Sequence, residues 1–235
     1  MTPRPLPHQV LFENNGFTAE LCQEKENLEL AYQLRYRAYR HAQAIPENET
    51  KLFSDNYDQQ SNSQTYLIWH NNVPVASLRI CLWSPKYRWE PLEMVCMYPS
   101  EIQRNIGLYQ IIQESCRFVV DPEIKGRTSL RAQLLMFRIH AIVSQVESSH
   151  FIITGVRKKH TPFYQRMLAF DPISEPRYVK WIDEEVVLMA TRRDKSYETF
   201  LKKGGTPISE ADLLRYANLT ANLSQPIDSH ASLIS

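Results

Sequence analysis

Residues 114–121 read Glu114-Ser115-Cys116-Arg117-Phe118-Val119-Val120-Asp121, and this stretch decides the fold. Phe118, Val119 and Val120 favour a pleated backbone, and Pro122 ends the run, so the stretch is a strand. Two full charges, Glu114 and Arg117, lie inside it. A buried charge is costly unless it is paired and hydrogen-bonded. Two explanations fit: a structural ion pair, or a polar site on a central strand. Residues three apart on a regular strand face opposite sides, so the two charges share a face only if a bulge intervenes.

Upstream, residues 1–16 are Pro-rich and aperiodic, an irregular lead-in. Phe17, Ala19 and Leu21 then alternate with polar neighbours, as in a short strand. From Glu26 to about Ala42, Leu28, Ala31, Leu34, Ala38 and Ala42 recur at spacings of three and four, one face of a helix. Arg35, Arg37 and Arg40 crowd its last turns, where positive charge suits the helix dipole. Residues 43–64 form a polar loop containing Phe53-Ser54-Asp55-Asn56-Tyr57-Asp58, and loops of that length often cover or line a site. Thr65–His70 and Val73–Trp83 are strands of a hairpin turned by Asn71-Asn72, and the second carries Arg79 in an apolar run. Trp83 to Glu93 reads as a connecting loop, and 101–110 as a short helix.

Downstream, a long helix runs from about Ser129 to Glu147, followed by a strand at Phe151–Val156, a helix at Thr161–Ala169 and a strand at Glu185–Ala190. Beyond Gly204-Gly205 lies a weak helix over Glu210–Leu223 and a polar tail, placed at the edge of the molecule. This order gives one mixed α/β domain over 17–203, with 1–16 as lead-in and 204–235 as C-terminal helix and tail.

Composition narrows the function. A net charge of +1 argues against bulk electrostatic binding to nucleic acid. No apolar window approaches a transmembrane segment, and MTPRPLPHQV lacks the apolar core of a secretory signal. Cys22, Cys81, Cys96 and Cys116 are widely spaced and fit neither a zinc site nor a disulfide framework. Thiols in strand-like runs are usually inert core, and a reducing cytoplasmic location is the default. The histidines show no metal-binding spacing, so no metal is expected. No glycine motif for a dinucleotide or P-loop site occurs among the six glycines.

Leu34-Arg35-Tyr36-Arg37-Ala38-Tyr39, Asp55-Asn56-Tyr57-Asp58, Ser77-Leu78-Arg79-Ile80 and the 114–121 strand stand in an order that resembles the acyl-homoserine-lactone (autoinducer) synthases. These belong to the GCN5-related N-acyltransferase superfamily. The chain is still more similar to their relatives, the long-chain N-acyl amino acid synthases and exosortase-associated acyltransferases, over roughly residues 26–191. The resemblance implies an α/β (α+β) fold with a central twisted mixed sheet flanked by helices. It also implies an enzyme that moves a medium or long fatty acyl group from acyl carrier protein to the amine of an amino acid. Arg35, Asp55, Asp58, Arg79 and Arg117 match the polar network that positions the acceptor. Phe163-Tyr164-Gln165-Arg166-Met167-Leu168-Ala169-Phe170 is similar to a late superfamily helix whose tyrosine is often the general acid, with Ala169 at its usual glycine.

Two departures are informative. Homoserine-lactone synthases usually carry an aromatic about ten positions after the helix arginine, where this chain has Ile45; that counts against the alternative of an autoinducer synthase using S-adenosylmethionine. The acetyltransferase pyrophosphate loop is reduced to Lys125-Gly126-Arg127-Thr128-Ser129. One glycine admits less backbone to a pyrophosphate, whereas acyl-phosphopantetheine on a carrier protein has one phosphodiester. Lys125, Arg127, Ser129 and Arg131 would then meet an acidic carrier, or else form an ordinary solvated turn.

Thioester aminolysis needs a polarised carbonyl, a neutral amine and a protonated leaving thiol. Backbone N–H groups near 116–119, with Cys116, Phe118 and Val119, are expected at the acyl-pantetheine. Glu114 is the expected base and Tyr164 the expected acid. Phe118, Leu134, Leu135, Phe137, Ile142 and Phe151 either line an acyl pocket or form plain core. A catalytically silent acyl-binding module on the same fold is the remaining alternative.

Overall fold

In the computed structural model, which describes residues 4–221, two left-handed turns set the first half of the sheet. Asn15 and Gly16 (φ 49° and 78°) join β1 (Val10–Asn14) to β2 (Phe17–Cys22). Asn71 and Asn72 (φ 51° and 63°) join β3 (Ser63–His70) to β4 (Val73–Trp83). Positive φ at both central residues matches strand twist, and asparagine and glycine tolerate it best. Helix α1 (Lys25–His41) crosses between the two hairpins.

The second half adds α2 (Glu93–Met97), α3 (Pro99–Asn105) and β5 (Ile112–Val120). Then come α4 (Gly126–Val146), β6 (Phe151–Arg157), α5 (Thr161–Leu168) and the short strands β7 (Asp171–Pro172) and β8 (Arg177–Val179). β9 (Glu184–Arg192), α6 (Arg193–Lys202) and α7 (Glu210–Thr220) complete the described chain. The sheet order is β1-β2-β3-β4-β5-β6-β9-β7, with β8 also on β9. All neighbours are antiparallel except β5 and β6.

Both faces of the sheet are covered, so the central strands bury alternate residues in two cores. Tyr66, Ile68, Leu78 and Ile80 pack with Leu135, Met136 and Ile139 of α4. Leu67 and Trp69 face Ala31 of α1, while Cys81 and Ile112 face Met94 and Val95 of α2. That second face carries the site.

Two features of β5 place its charges. Ser77 pairs with Val119 and Arg79 with Cys116, so Leu78 is opposed by both Arg117 and Phe118. This is a β-bulge, with Arg117 in the left-handed region at φ 52°. The bulge answers the parity problem and lets Glu114 and Arg117 serve one face. Against β6, pairing covers only Ile112–Phe151, Gln113–Ile152 and Glu114–Ile153, and beyond Glu114 the strands part.

The N-terminal lead-in differs from the sequence expectation. Val10–Asn14 is a strand, because Leu11 and Phe12 are buried against β2. The segment expected as loop up to Glu93 ends in α2, and Arg177–Val179 and α6 were not anticipated. The C-terminal helix is no appendage. It packs on α4 and β1, and its Tyr216 is fully buried, 3.0 Å from Gln64 Oε1 and from Glu147 Oε1. The tail beyond 221 lies outside the described residues. Tyr216→Ala should therefore cost about 3–5 kcal/mol in urea unfolding, the usual loss for a buried aromatic. An unchanged midpoint would make α7 an accessory element.

Candidate active site

Three arginines are buried on the α1–α2 face. Arg35 comes from α1, Arg79 from β4 and Arg117 from the bulge, with relative exposures of 0%, 0% and 9%. Each needs an anion, and the Asp55-Asn56-Tyr57-Asp58 turn supplies two. Asp55 Oδ1 accepts from Tyr57 N and Asp58 Oδ2 accepts from Asp55 N, a capping box around a single 3-10 turn. The free edges of the same carboxylates meet the guanidiniums. Arg35 Nη1 lies 2.7 Å from Asp58 Oδ1, and Arg79 Nη1 lies 2.6 Å from Asp55 Oδ1 and 3.1 Å from Asp58 Oδ1. Arg117 Nε donates to Asp55 Oδ2 at 3.0 Å.

Glu93, the first residue of α2, completes the cluster. It lies 3.0 Å from Arg117 and 3.6 Å from Arg79. Sequence reasoning missed it because it ends a stretch that reads as loop; the apolar pattern Leu92, Met94, Val95 after Pro91 was the available signal. Thr65, whose Oγ1 accepts from Arg35 Nη2 at 3.0 Å, was missed as well.

Glu114 makes no salt bridge among the described residues. Its Oε2 accepts from Met94 N at 2.9 Å, near the start of α2, and its Oε1 has no partner among the described residues. Burial, then the negative charges of Cys116 and Glu93, push this carboxyl well above the ordinary glutamate range. Beside it, Cys116 Sγ accepts from Arg79 Nε at 3.2 Å. A hydrogen bond from the Cys81 thiol, followed by Arg79 and Arg117, pulls Cys116 down to about 6 against the opposing effect of burial. On the other side of the strand, Ser115 Oγ sits 3.3 Å from Nδ1 of His140, which burial lowers to about 3 and so keeps neutral.

Aromatic rings close the top. Phe53 lies 4.8 Å from Tyr39 and 5.6 Å from Trp181 between ring centroids, and the Arg117 guanidinium stands 4.9 Å over Trp181. Trp181, in the turn between β8 and β9, gave no sequence signal. It stands in the short run Tyr178-Val179-Lys180-Trp181-Ile182, which has no clear period.

Two cavities meet at this cluster. A cleft of about 270 Å³ opens where β5 and β6 part, lined by Glu114, Cys116, Arg117, Phe118, Val119 and Tyr164 among others. A second cavity, about 360 Å³, is lined by Ile45, Pro46, Phe53, Asp55 and Tyr57. Glu93, Arg117 and Trp181 belong to both walls. Tyr164 packs against Phe163 and Phe170, and burial raises its phenol above the ordinary range.

The sequence-derived residues divide into three groups. Arg35, Asp55, Asp58, Arg79, Glu114 and Arg117 converge on one face. Cys116, Phe118, Val119 and Tyr164 line the cleft. Lys125, Arg127, Ser129 and Arg131 stand at the start of α4 and do not line it. Of the apolar candidates, Phe118 alone lines the cleft; Leu135 and Ile142 pack in the α4 core, and Phe137 and Leu134 under α5.

The fold is that of FeeM and of the acyl-homoserine-lactone synthase LasI, with a mixed sheet whose parallel pair parts beside the charge cluster. The family model described as N-acyl amino acid synthase FeeM matches residues 30–192, and the chain belongs to that family. It is an acyltransferase. Among solved structures, FeeM, an N-acyl amino acid synthase from uncultured soil microbes, superposes with a TM-score of 0.66 at 15% identity, covering 81% of this chain and 97% of that one. The acyl-homoserine-lactone synthase LasI gives 0.63 at 15% identity, covering 84% and 100%. The CoA-dependent acyl-homoserine-lactone synthase MesI gives 0.55 at 15%, covering 79% and 91%. No curated protein matches the chain. No helix among the described residues is long and apolar enough to cross a membrane.

The charge cluster makes stability pH-dependent. Burial opposes ionisation of Asp55, but Arg117 and Arg79 overcome it and lower its pKa from 3.8 to about 2. A lowered carboxylate stabilises the fold above its unfolded pKa and loses that contribution as pH falls through the folded value. Asp55→Asn should destabilise by about 3–5 kcal/mol at neutral pH, because two guanidiniums lose a partner. That deficit should shrink by on the order of 2 kcal/mol as pH falls from about 5 to about 2. Urea titrations of both proteins across this range measure it, and a pH-independent deficit would exclude the ionised pairing.

Proposed function

We propose that the protein transfers a medium- or long-chain fatty acyl group from acyl carrier protein to the amine of an amino acid. The observation that carries this reading is the pair of cavities sharing Glu93, Arg117 and Trp181. One is a cleft along the opened edge of β5, suited to an acyl thioester. The other is a cavity with mostly apolar walls, to which Asp55, Glu93 and Arg117 add charged groups, suited to a small amine-bearing acceptor.

In this reading the thioester carbonyl lies against β5 past Glu114, where the strand has left β6, and backbone N–H groups within 116–119 polarise it. The acceptor enters from the second cavity. Arg79, Arg117, Asp55 and Glu93 orient it as a fixed, already neutralised frame that needs little rearrangement. An α-amino group titrates near 8 in model peptides, so a modest proton acceptor is enough. Glu114, which lines the cleft with Oε1 unpartnered among the described residues, would be that acceptor. Tyr164, which lines the same cleft, would protonate the departing thiolate.

Donor choice follows from charge. Lys125, Arg127 and Arg131 are exposed at the start of α4, and Gly126 is the single glycine there. Such a rim favours an acidic carrier over the pyrophosphate of coenzyme A. Ile45 gives the acceptor cavity an aliphatic wall where homoserine-lactone synthases usually present an aromatic, which disfavours S-adenosylmethionine as acceptor.

Two measurements test the reading. Acyl carrier protein should outcompete acyl-coenzyme A, and replacing Lys125, Arg127 and Arg131 together by Ala should weaken carrier use and its salt dependence. Equal use of both donors, unaffected by the replacements, overturns the donor assignment. Glu114→Gln should lower N-acyl amino acid formation by roughly a hundredfold or more, with partial recovery at higher pH as more amine becomes neutral. A folded Glu114→Gln protein with unchanged rates at every pH removes Glu114 from the chemistry.

A further inference from the structure

We propose that Trp181 decides which nucleophile receives the acyl group: its indole keeps bulk water from the junction of the two cavities, so that the thioester is spent on an amine and not on hydrolysis. This rests on the N-acyltransferase reading above and deepens it by naming a residue that separates a synthase from a thioesterase.

The turn that carries Trp181 is anchored without it. Ile182 N donates to Val179 O at 3.2 Å and Asp183 N to Lys180 O at 3.4 Å, with Asp183 in the left-handed region at φ 50°. Val179 and Ile182, on either side of the tryptophan, are buried and pack with Val186 and Met97. The indole itself is 39% exposed, so it is not spent on that small core. Its partners belong to the site instead. The Arg117 guanidinium stands 4.9 Å from the ring centroid, Phe53 stacks at 5.6 Å, and Tyr39 meets it edge-on at 6.3 Å. These partners come from β5, the long loop and α1, three elements that reach the turn only at this point.

Position gives the ring its task. Glu93, Arg117 and Trp181 line both the donor cleft and the acceptor cavity. Two of the three carry charge and attract water, and the indole is the one apolar member. Lying over Arg117, it takes up space beside an ion pair that solvent would otherwise fill, and water exclusion at a reacting centre suppresses side reactions. Such exclusion is needed, because water outnumbers any dissolved amine. Glu114, the proton acceptor proposed above, lines the same cleft and would relieve either nucleophile of its proton.

Both routes start at one carbonyl carbon. When the amine attacks, a C–N bond forms, the C–S bond to phosphopantetheine breaks, the amine gives up a proton and the sulfur leaves as a thiol. When water attacks, a C–O bond forms, the same C–S bond breaks, and fatty acid and thiol result. The ratio of acid to amide therefore reads the access of water, while total thiol reads the amount of active protein. A protein that is merely less stable loses both products together and leaves the ratio alone.

The test supplies the full chain with dodecanoyl thioesters of acyl carrier protein and of coenzyme A, with and without a mixture of amino acids. Free thiol is followed by absorbance, and dodecanoic acid and N-dodecanoyl amino acids by mass spectrometry. Wild-type protein should release thiol roughly tenfold or more faster with amino acids than without them, with amide as the main product. Trp181→Ala should raise the acid-to-amide ratio by roughly tenfold or more, and Trp181→Phe should return it toward the wild-type value. Circular dichroism checks each fold, Trp181→Leu replaces the alanine variant if that one fails to fold, and the wild-type comparison stands without any variant. A folded Trp181→Ala or Trp181→Leu protein with the wild-type ratio, or with neither product, overturns the inference and leaves the acyltransferase reading intact. Wild-type amide formation accompanied by equally fast thiol release without amino acids does the same. Fatty acid as the sole wild-type product with every amino acid overturns both the inference and the acceptor assignment, and no product with either donor overturns the acyltransferase reading itself.

Discussion

Three guanidinium groups buried against one sheet face constrain everything near the site. An unpaired ion in such a place costs several kcal/mol, so Arg35, Arg79 and Arg117 require Asp55, Asp58 and Glu93 in position before the fold is stable. Asp55 and Asp58 come from the long loop, whose 3-10 turn buries no residue of its own, and Glu93 from the first residue of α2, whose Met94 and Val95 are packed in the core. The loop over the site is therefore ordered by electrostatic demand from below. The Tyr39–Phe53–Trp181 contact then fastens it from above and joins it to the turn before β9. Three positive and three negative groups leave the frame near neutrality, which lets it border two cavities without drawing in a counter-ion.

The bulge at Arg117 links this frame to the cleft. A non-glycine residue in the left-handed region costs about 1–2 kcal/mol, a strain tolerated where other contacts over-determine it. Here the return is double. Arg117 swings to the face where Asp55 and Glu93 wait, and β5 bends and twists just where it stops pairing with β6. One extra residue thus supplies a charge to the acceptor side and an open backbone edge to the donor side.

How legible this was in the sequence depended on the kind of signal. Arg79, Glu114 and Arg117 were visible because charges in apolar strand runs violate the burial pattern. Asp55 and Asp58 were visible because they stand in a long polar loop and in an Asp-Asn-Tyr-Asp run that resembles the autoinducer-synthase motif. Asn71-Asn72 announced a hairpin through residue type alone, and the same chemistry in Asn15-Gly16 was overshadowed by the prolines before it. Glu93 and Trp181 were silent, since their roles arise only when distant elements meet. The bulge was legible as a requirement of strand parity but not as an observation, because register is a property of two strands. The place of α7 was hidden for a similar reason: Tyr216 is one aromatic on a weak helix until Gln64 and Glu147 surround it.

The frame and the chemistry fall on different residues, and this decides what substitutions can teach. Arg79 contacts Asp55, Asp58, Glu93 and the sulfur of Cys116, so its removal strands several buried partners at once. Loss of activity in an Arg79 variant would mix a collapsed frame with a missing catalytic effect, and the same holds for Arg117. Glu114 and Tyr164 neutralise no arginine through a salt bridge among the described residues. Both line the cleft, Glu114 with Oε1 unpartnered among the described residues, and isosteric changes there leave every ion pair in place. A group that the electrostatic frame does not need, yet that remains buried at a cavity wall against a desolvation cost, is where a chemical role is the more economical physical explanation.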